Sequence, residues 1–555
     1  MVDSTSSAAG RGGKGVVLGI ATTIAISVVV FFADIHSNPA YYVDEATNAS
    51  LGRAKLESLL SRAPMRIGPA RYADYPRMSG YTLLVGLIGK ATRNPGFASR
   101  YLSGICGVAF AVLVLLVARK QLASRLAVAV VVGTFLTSNV ALIEFRYGFN
   151  GALVAVSLMA TYGFSLLLLS GEGATFRKRV LWTLGASLAS CLTLMNELFS
   201  GATASLLFVA MMAVHGLGAR RRDRRELLLI AIPILFLLVA TALLFSNPLF
   251  GEEIKRMLGP RNPVGQLTLK GFYGSLMGAF SGNRLLRCEW VFLSVAMISV
   301  VCAIVSLARS KRVLQLLAFG ELLGPFVLVT SVIGDVHFYI RAISMYFPVF
   351  FASVILVVGS AEKTDLWQKF RHSRGALAAC ICLGAALMVG AADRIQGTQA
   401  YFAQPQKYFN DIPFDASFEQ VSAQVTALVP KDQLVLAPPH LLPFLDHPYT
   451  TEYFLSQLCA GRRHPIFAPN ADVLQRLLYP CRLADVHVAV LHPVFYEFDA
   501  QIWEDGPAVL KNIVTTWTLI GSAGAFAIYK NPTPSSPSVS PINYGQIGAT
   551  PTGVQ

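Results

Sequence analysis

Apolar runs of the length a membrane-crossing helix needs, about 20 residues, recur along most of the chain. They fall at 16–34, 97–118, 124–140, 149–170, 180–196, 200–217, 227–246, 290–308, 313–333, 339–360 and 375–392. The gaps between them alternate in character. Residues 119–125 (Arg119, Lys120, Arg125), 171–179 (Arg177, Lys178, Arg179), 218–226 (Arg220, Arg221, Arg222, Arg224, Arg225), 309–312 and 361–374 are basic. The positive-inside bias assigns such gaps to the cytoplasm, together with an N-terminus that carries Arg11 and Lys14. With about eleven spans, every remaining gap faces the other side and the parity closes.

The first run has the basic leader of a signal peptide, but it is long and no small-residue cleavage site precedes Asp34 cleanly. It reads as an uncleaved signal-anchor helix. Residues 79–91 are apolar but too short to span, which predicts a surface-lying or re-entrant helix. The first outer loop, 35–96, then has helical stretches near 44–60 and 79–91, and 247–289 form a second loop. Beyond 393 the pattern becomes mixed. Asp415–Leu428 reads as a helix ending at Val429-Pro430, while Gln433–Ala437, Val486–Leu491 and Thr518–Tyr529 read as strands. The expectation is a polytopic α-helical membrane protein. A cytoplasmic N-terminus (1–15) precedes a transmembrane domain (16–392), an extracytoplasmic α/β domain (393–530) and a Pro/Ser/Gly-rich tail (531–555) whose composition predicts disorder.

Composition supports this class. Hydrophobic residues make up 54% of the chain and charged residues 14%, against about 25% charged in soluble domains. A formal net charge of +15 can signal nucleic acid. Here the basic residues sit in the gaps between spans, so membrane lipids are the expected partner and nucleic acid is not. Cys380-x-Cys382 lies inside an apolar run, where packing is the plain reading, and no cysteine spacing suggests a metal. Cys459 and Cys481 are the outer domain's two cysteines; an oxidising compartment permits a disulfide, with a free buried pair as the alternative.

Against this basic background one acidic pair stands out: Asp44-Glu45, in Tyr41-Tyr42-Val43-Asp44-Glu45, about ten residues past the first span. The loop that it opens ends in Ala73-Asp74-Tyr75-Pro76-Arg77-Met78-Ser79-Gly80-Tyr81, and the next span begins Ala98-Ser99-Arg100-Tyr101-Leu102. With many spans and a C-terminal outer domain, this order resembles the GT-C superfamily of polyprenyl-phosphate-sugar-dependent glycosyltransferases. That superfamily includes protein O-mannosyltransferases and lipid A aminoarabinose transferases. The resemblance covers the architecture of nearly the whole chain, with its residue-level support in 40–105. It implies that Asp44 is catalytic and that Arg100 matches the family's arginine opening the second span. Tyr75-Pro76-Arg77-Met78 stands for a Tyr-Pro-Pro-Leu-like turn without its second proline. In Glu144-Phe145-Arg146-Tyr147-Gly148-Phe149-Asn150, Asn150 occupies a place where relatives commonly have an acid, which leaves the base on Asp44 alone.

The chemistry fits these residue types. A sugar on a lipid phosphate already has a good leaving group, so no acid is needed to protonate it. What helps is a cation for the developing charge and a carboxylate to take the acceptor hydroxyl's proton. An unperturbed Asp, with a pKa of about 3.9, is ionised and available at neutral pH. Adjacent helical residues do not face each other, so Glu45 is expected to orient the loop or bind a sugar hydroxyl. Arginines suit the phosphate through their forked geometry: Arg77, Arg100, and Arg341 just inside the tenth span. Tyr75 and His337 are further substrate-binding candidates. The plain alternatives are solvated loop acids, arginines anchoring lipid headgroups (the reading that suits Arg62 and Arg66) and a hydrogen-bonded structural histidine. Lys255 and Arg256 read as surface charges, and Asn196-Glu197 as a helix–helix polar contact.

No His/Asp cluster or DxD appears, so no cofactor is required beyond the lipid-linked donor; the alternative is a divalent metal where Asp44, Glu45 and His337 meet in space. The resulting expectation is an inverting transferase in a bacterial inner membrane, working on its outer face on a glycan, lipid or protein acceptor. A polytopic lipid or sugar transporter is the rival, but transporters place polar residues at mid-membrane and show internal repeats, and no repeat is seen. A non-catalytic assembly subunit is the third reading.

Overall fold

The computed structural model describes residues 6–36, 43–61, 79–171, 174–218, 224–245, 290–332, 338–362, 385, 388–400, 415–447, 449–450, 483–493 and 506–534. The chain divides into two compact units. One comprises Met1–Ala33 and Ser103–Gln404, the other Asp34–Leu102 and Pro405–Gln555. The first outer loop and the C-terminal region thus share a unit that sequence order separates by some three hundred residues.

The first unit is helical. Its helices are α1 (Ser6–Phe32), α4 (Ala98–Gln121, from Ser103 onward), α5 (Arg125–Leu136), α6 (Asn139–Arg146), α7 (Gly151–Ser170), α8 (Phe176–Asn196), α9 (Leu198–Gly218) and α10 (Arg224–Phe245). After these come α11 (Trp290–Arg309), α12 (Val313–Val332) and α13 (Phe338–Glu362). Six described helices are long and apolar enough to cross a membrane, and α5 with α6, bent by 58° at their junction, makes a seventh if taken as one broken span. The protein is a multi-pass membrane protein. The expected eleventh span, 375–392, lies mostly outside the described residues, although 388–400 are helical.

Ser138, in extended conformation, breaks the α5–α6 path and caps α6 by accepting a hydrogen bond from the Ala141 amide at 3.2 Å. Aromatic packing locks this region. Phe110 and Phe135 lie 5.0 Å apart, with Phe31, Phe145, Phe347 and Phe351 around them at 5.6–6.3 Å. A Cβ at Gly107 would come within 2.7 Å of the Phe31 ring, so the absence of a side chain there is what lets the ring seat on α4.

The second unit holds α2 (Val43–Ser61), α3 (Ser79–Thr92), the first turn of α4, α14 (Ala416–Leu428), α15 (Gly506–Thr516) and a mixed sheet. Its strands are β1 (Val435–Leu436), β2 (Tyr449–Thr450), β3 (Val488–Leu491), β4 (Thr518–Ala523) and β5 (Phe526–Lys530), in the order β2-β1-β3-β5-β4. β1 pairs parallel to β2 and β3; β5 pairs antiparallel to β3 and β4. Where the sequence predicts one strand over Thr518–Tyr529, the structure has a hairpin. Gly524 at φ +56° supplies the left-handed turn that most side chains resist.

The sheet is covered on both faces, so β3 reads as four consecutive buried residues instead of an alternating strand. α14 starts on its Asp415 cap, which accepts from the Ser417 amide at 2.9 Å. Phe418, Val421 and Val425 form its apolar stripe against Val435, Val488, Val490 and Ile528. Leu510 and Ile513 of α15 meet Leu434, Leu436, Ala489 and Leu491 on the other face. Ala46 of α2 and Phe97 are buried in the α14-side core. The outer-loop helices are therefore built into the α/β domain through its hydrophobic core.

Candidate active site

Asp44 and Glu45 lie in the first turn of α2, where carboxylates complement the positive end of the helix dipole. The side chain of Asp44 lies outside the described residues, as do Tyr75, Arg77 and His337 entirely and the side chain of Arg341 in α13. Cys459, Cys481, Lys255, Arg256, Arg62 and Arg66 are outside them too. Glu45 and Arg100 are described, and the structure brings them together.

Arg100 Nε donates to Glu45 Oε2 at 2.6 Å and Arg100 NH2 to Glu45 Oε1 at 3.3 Å. Both side chains are 0% exposed. The remaining fork reaches back to the end of the first span, NH1 donating to the carbonyls of Ile35 at 2.8 Å and His36 at 3.4 Å. Ser99 Oγ donates to the Glu45 carbonyl at 3.2 Å. One arginine at the head of α4 thus ties together the exit of α1 and the first turn of α2. Arg100, expected as a phosphate partner, spends its guanidinium on protein groups in this structure.

His36 stacks on Phe97 with centroids 4.5 Å apart, and its Nε2 shares a 2.5 Å hydrogen bond with the Tyr101 hydroxyl. The cover of its ring, and then the charge of Arg100, hold its pKa below the usual histidine value. The imidazole is accordingly neutral at neutral pH. Nothing in the spacing of His36 marks it beforehand; its only signal is a polar ring immediately after an apolar span.

Farther along α2, Arg53 Nε pairs with Glu57 at 2.9 Å, and Arg53 NH2 pairs with Asp446. The Arg53 hydrogen bond holds the Asp446 carboxyl below the ordinary aspartate range. Ser50 and the buried Tyr449 of β2 are joined through their hydroxyls. α2 and α3 cross closely: a Cβ at Gly52 would lie 2.6 Å from the Thr82 carbonyl oxygen and 2.8 Å from Gly86 N. These contacts hold the helix that carries Asp44 from both sides.

The sequence matches no protein-family model and no curated protein. The fold does find counterparts. ArnT from Cupriavidus metallidurans bound to undecaprenyl phosphate superposes with a TM-score of 0.54 at 12% identity, covering 94% of this chain and 99% of that one. Its apo state gives 0.55 at 12% identity, over 93% and 98%. Both superpositions show that this chain shares the ArnT fold. An Archaeoglobus fulgidus oligosaccharyltransferase in complex with Zn and sulfate is more distant, at a TM-score of 0.46 and 12% identity over 85% of this chain and 67% of that one.

The membrane unit supplies polar groups of its own. Arg146, fully buried, donates to the Val30 carbonyl at 2.9 Å and the Ala33 carbonyl at 2.7 Å, capping the C-terminal end of α1. Asn150, where an acid was sought, donates to the Asn196 carbonyl at 3.3 Å and ties the start of α7 to the end of α8. The acid of this stretch is Glu144. It is 1% exposed, and its Oε1 has no hydrogen-bond partner among the described residues. A Cβ at Gly151 would collide with the Glu144 carboxylate and lie 2.9 Å from Ser344 Cβ. A buried intramembrane carboxylate is costly and commonly functional. The sequence offered its position but not its burial. Among the described residues no three His, Cys, Asp or Glu side chains form a group fit to hold a metal ion.

Proposed function

We propose that this protein is an inner-membrane glycosyltransferase. It moves one sugar from a polyprenyl phosphate to an acceptor hydroxyl on the extracytoplasmic face. The observation that carries the reading is the match, over almost the whole of both chains, to a transferase fold whose counterpart was crystallised with undecaprenyl phosphate. The loop charges support the sidedness.

In the proposed reaction the Asp44 carboxylate takes the proton from the acceptor O–H. The acceptor oxygen bonds to the sugar's anomeric carbon as the bond from that carbon to the phosphate oxygen breaks. The phosphate leaves as an anion, with the lipid still attached. Attack opposite the leaving phosphate inverts the anomeric centre. The Glu45–Arg100 pair has a positioning role. It holds the first turn of α2, to which Asp44 belongs. Arg77, Arg341, Tyr75 and His337 are the groups proposed to bind the donor phosphate and sugar. No metal or other cofactor enters this scheme.

The test is Asp44→Asn, purified as the whole chain and assayed with a panel of polyprenyl-phosphate sugars against glycan, lipid and peptide acceptors. General-base removal should lower transfer by about 10²–10⁴-fold without altering the melting temperature. Full transfer by the variant would sink the mechanism. Transfer should also survive exhaustive chelation.

A further inference from the structure

Between α2, α3 and the first residue of α4 lies a cavity of about 280 Å³, near the lower end of the roughly 300–1,000 Å³ typical of small-molecule pockets. Its lining includes the apolar side chains Leu56, Leu60, Val85 and Ala98. Ala98 opens a 24-residue helix long and apolar enough to cross a membrane.

Four charged side chains also line it: Arg53, Glu57, Lys90 and Arg93. Arg53 is already occupied by Glu57 and Asp446. Lys90 and Arg93 are exposed, and neither has an ion-pair partner among the described residues. Arg93 also adopts a left-handed backbone, φ +57°, at the end of α3, a position ordinarily given to glycine. A chain that needed only a helix terminus there would gain by using glycine. Keeping an arginine in that conformation gives the cavity lining a second cation besides Lys90.

We propose that this cavity is a binding site for an anionic glycerophospholipid of the surrounding leaflet. Lys90 and Arg93 hold the phosphate, and the upper part of one acyl chain lies over Leu56, Leu60 and Val85. The site is separate from the transfer chemistry. It would fasten the α2–α3 pair, and with it the turn bearing Asp44, to the membrane surface. Two cations without ion-pair partners among the described residues, together with apolar side chains in one lining, favour such an amphiphile over a peptide or a free ion.

The experiment uses the full-length protein, delipidated in detergent and titrated with phosphatidylglycerol or phosphatidylcholine, with bound lipid counted by native mass spectrometry. Wild type should prefer phosphatidylglycerol, and Lys90→Ala/Arg93→Ala should weaken that binding by about tenfold at unchanged lipid-free melting temperature. Equal preference in the variant would overturn the proposal. So would competition by glycerol 3-phosphate as strong as by the whole lipid, because the apolar lining would then be unused. One-for-one displacement by undecaprenyl phosphate would overturn it as well, assigning the cavity to a polyprenyl lipid. A wild type inactive toward every donor would count against the proposed function and leave this binding measurement readable.

Discussion

Replacing Arg100 tests the arrangement most directly. Glu45 and Arg100 are both 0% exposed and share two hydrogen bonds. Arg100→Ala therefore leaves a carboxylate buried without its cation, and it removes the donor to the Ile35 and His36 carbonyls. Breaking a buried pair from one side costs about 3–5 kcal/mol, whereas an exposed pair is worth at most about 1 kcal/mol. The structure places this case with the first. Reversible unfolding in mixed micelles, read by circular dichroism, measures the difference. Glu45→Gln/Arg100→Met should recover part of the loss, because the two sites share one interaction and their effects are not additive. Arg100→Lys should fall between, since an ammonium cannot reproduce the fork that spans Glu45 and two carbonyls. A cost below about 1 kcal/mol for Arg100→Ala, or strict additivity in the double variant, would refute the clamp.

Other expectations follow from the same unit. Gly86→Val would drive a side chain into the Gly52 backbone and should destabilise by about 1–3 kcal/mol through overpacking, seen as earlier proteolysis between α2 and α3. Tyr449→Phe strands the buried Ser50 hydroxyl and should cost about 1–3 kcal/mol in the same unfolding assay. Asp446 titrates below its ordinary value because of Arg53. Its contribution is full above the unfolded aspartate pKa of about 3.9 and is lost as pH falls through the lower, folded value. Asp446→Asn should flatten that acid limb. At 47% side-chain exposure the effect stays below about 1 kcal/mol, so an acid limb unchanged in the variant would contradict the pairing.

Much of the architecture was legible in advance because membrane spans are written locally. An apolar run of fixed length and a basic gap are properties of neighbouring residues, and α1, α4, α7, α9, α10 and α13 lie where such runs were read. The helices α2, α3 and α14 were legible for the same reason. The hairpin was not, because one glycine at φ +56° turns what reads as a single strand. Nor was the fate of Arg100. Its spacing marked it as important, but the two protein segments that it holds lie 55 and 65 residues away in sequence.

The sequence by itself determined that the chain crosses a membrane repeatedly, which gaps carry the positive charge and which acidic pair stands apart from that background. Tertiary structure decided that Glu45 is a buried partner of Arg100, that Glu144 is the buried acid of its stretch, and that the first loop shares a core with the C-terminal sheet. The division has a physical cause. Hydrophobicity and helix periodicity act over a few residues, whereas the burial and pairing of a charge depend on groups that only the folded chain brings within hydrogen-bond reach.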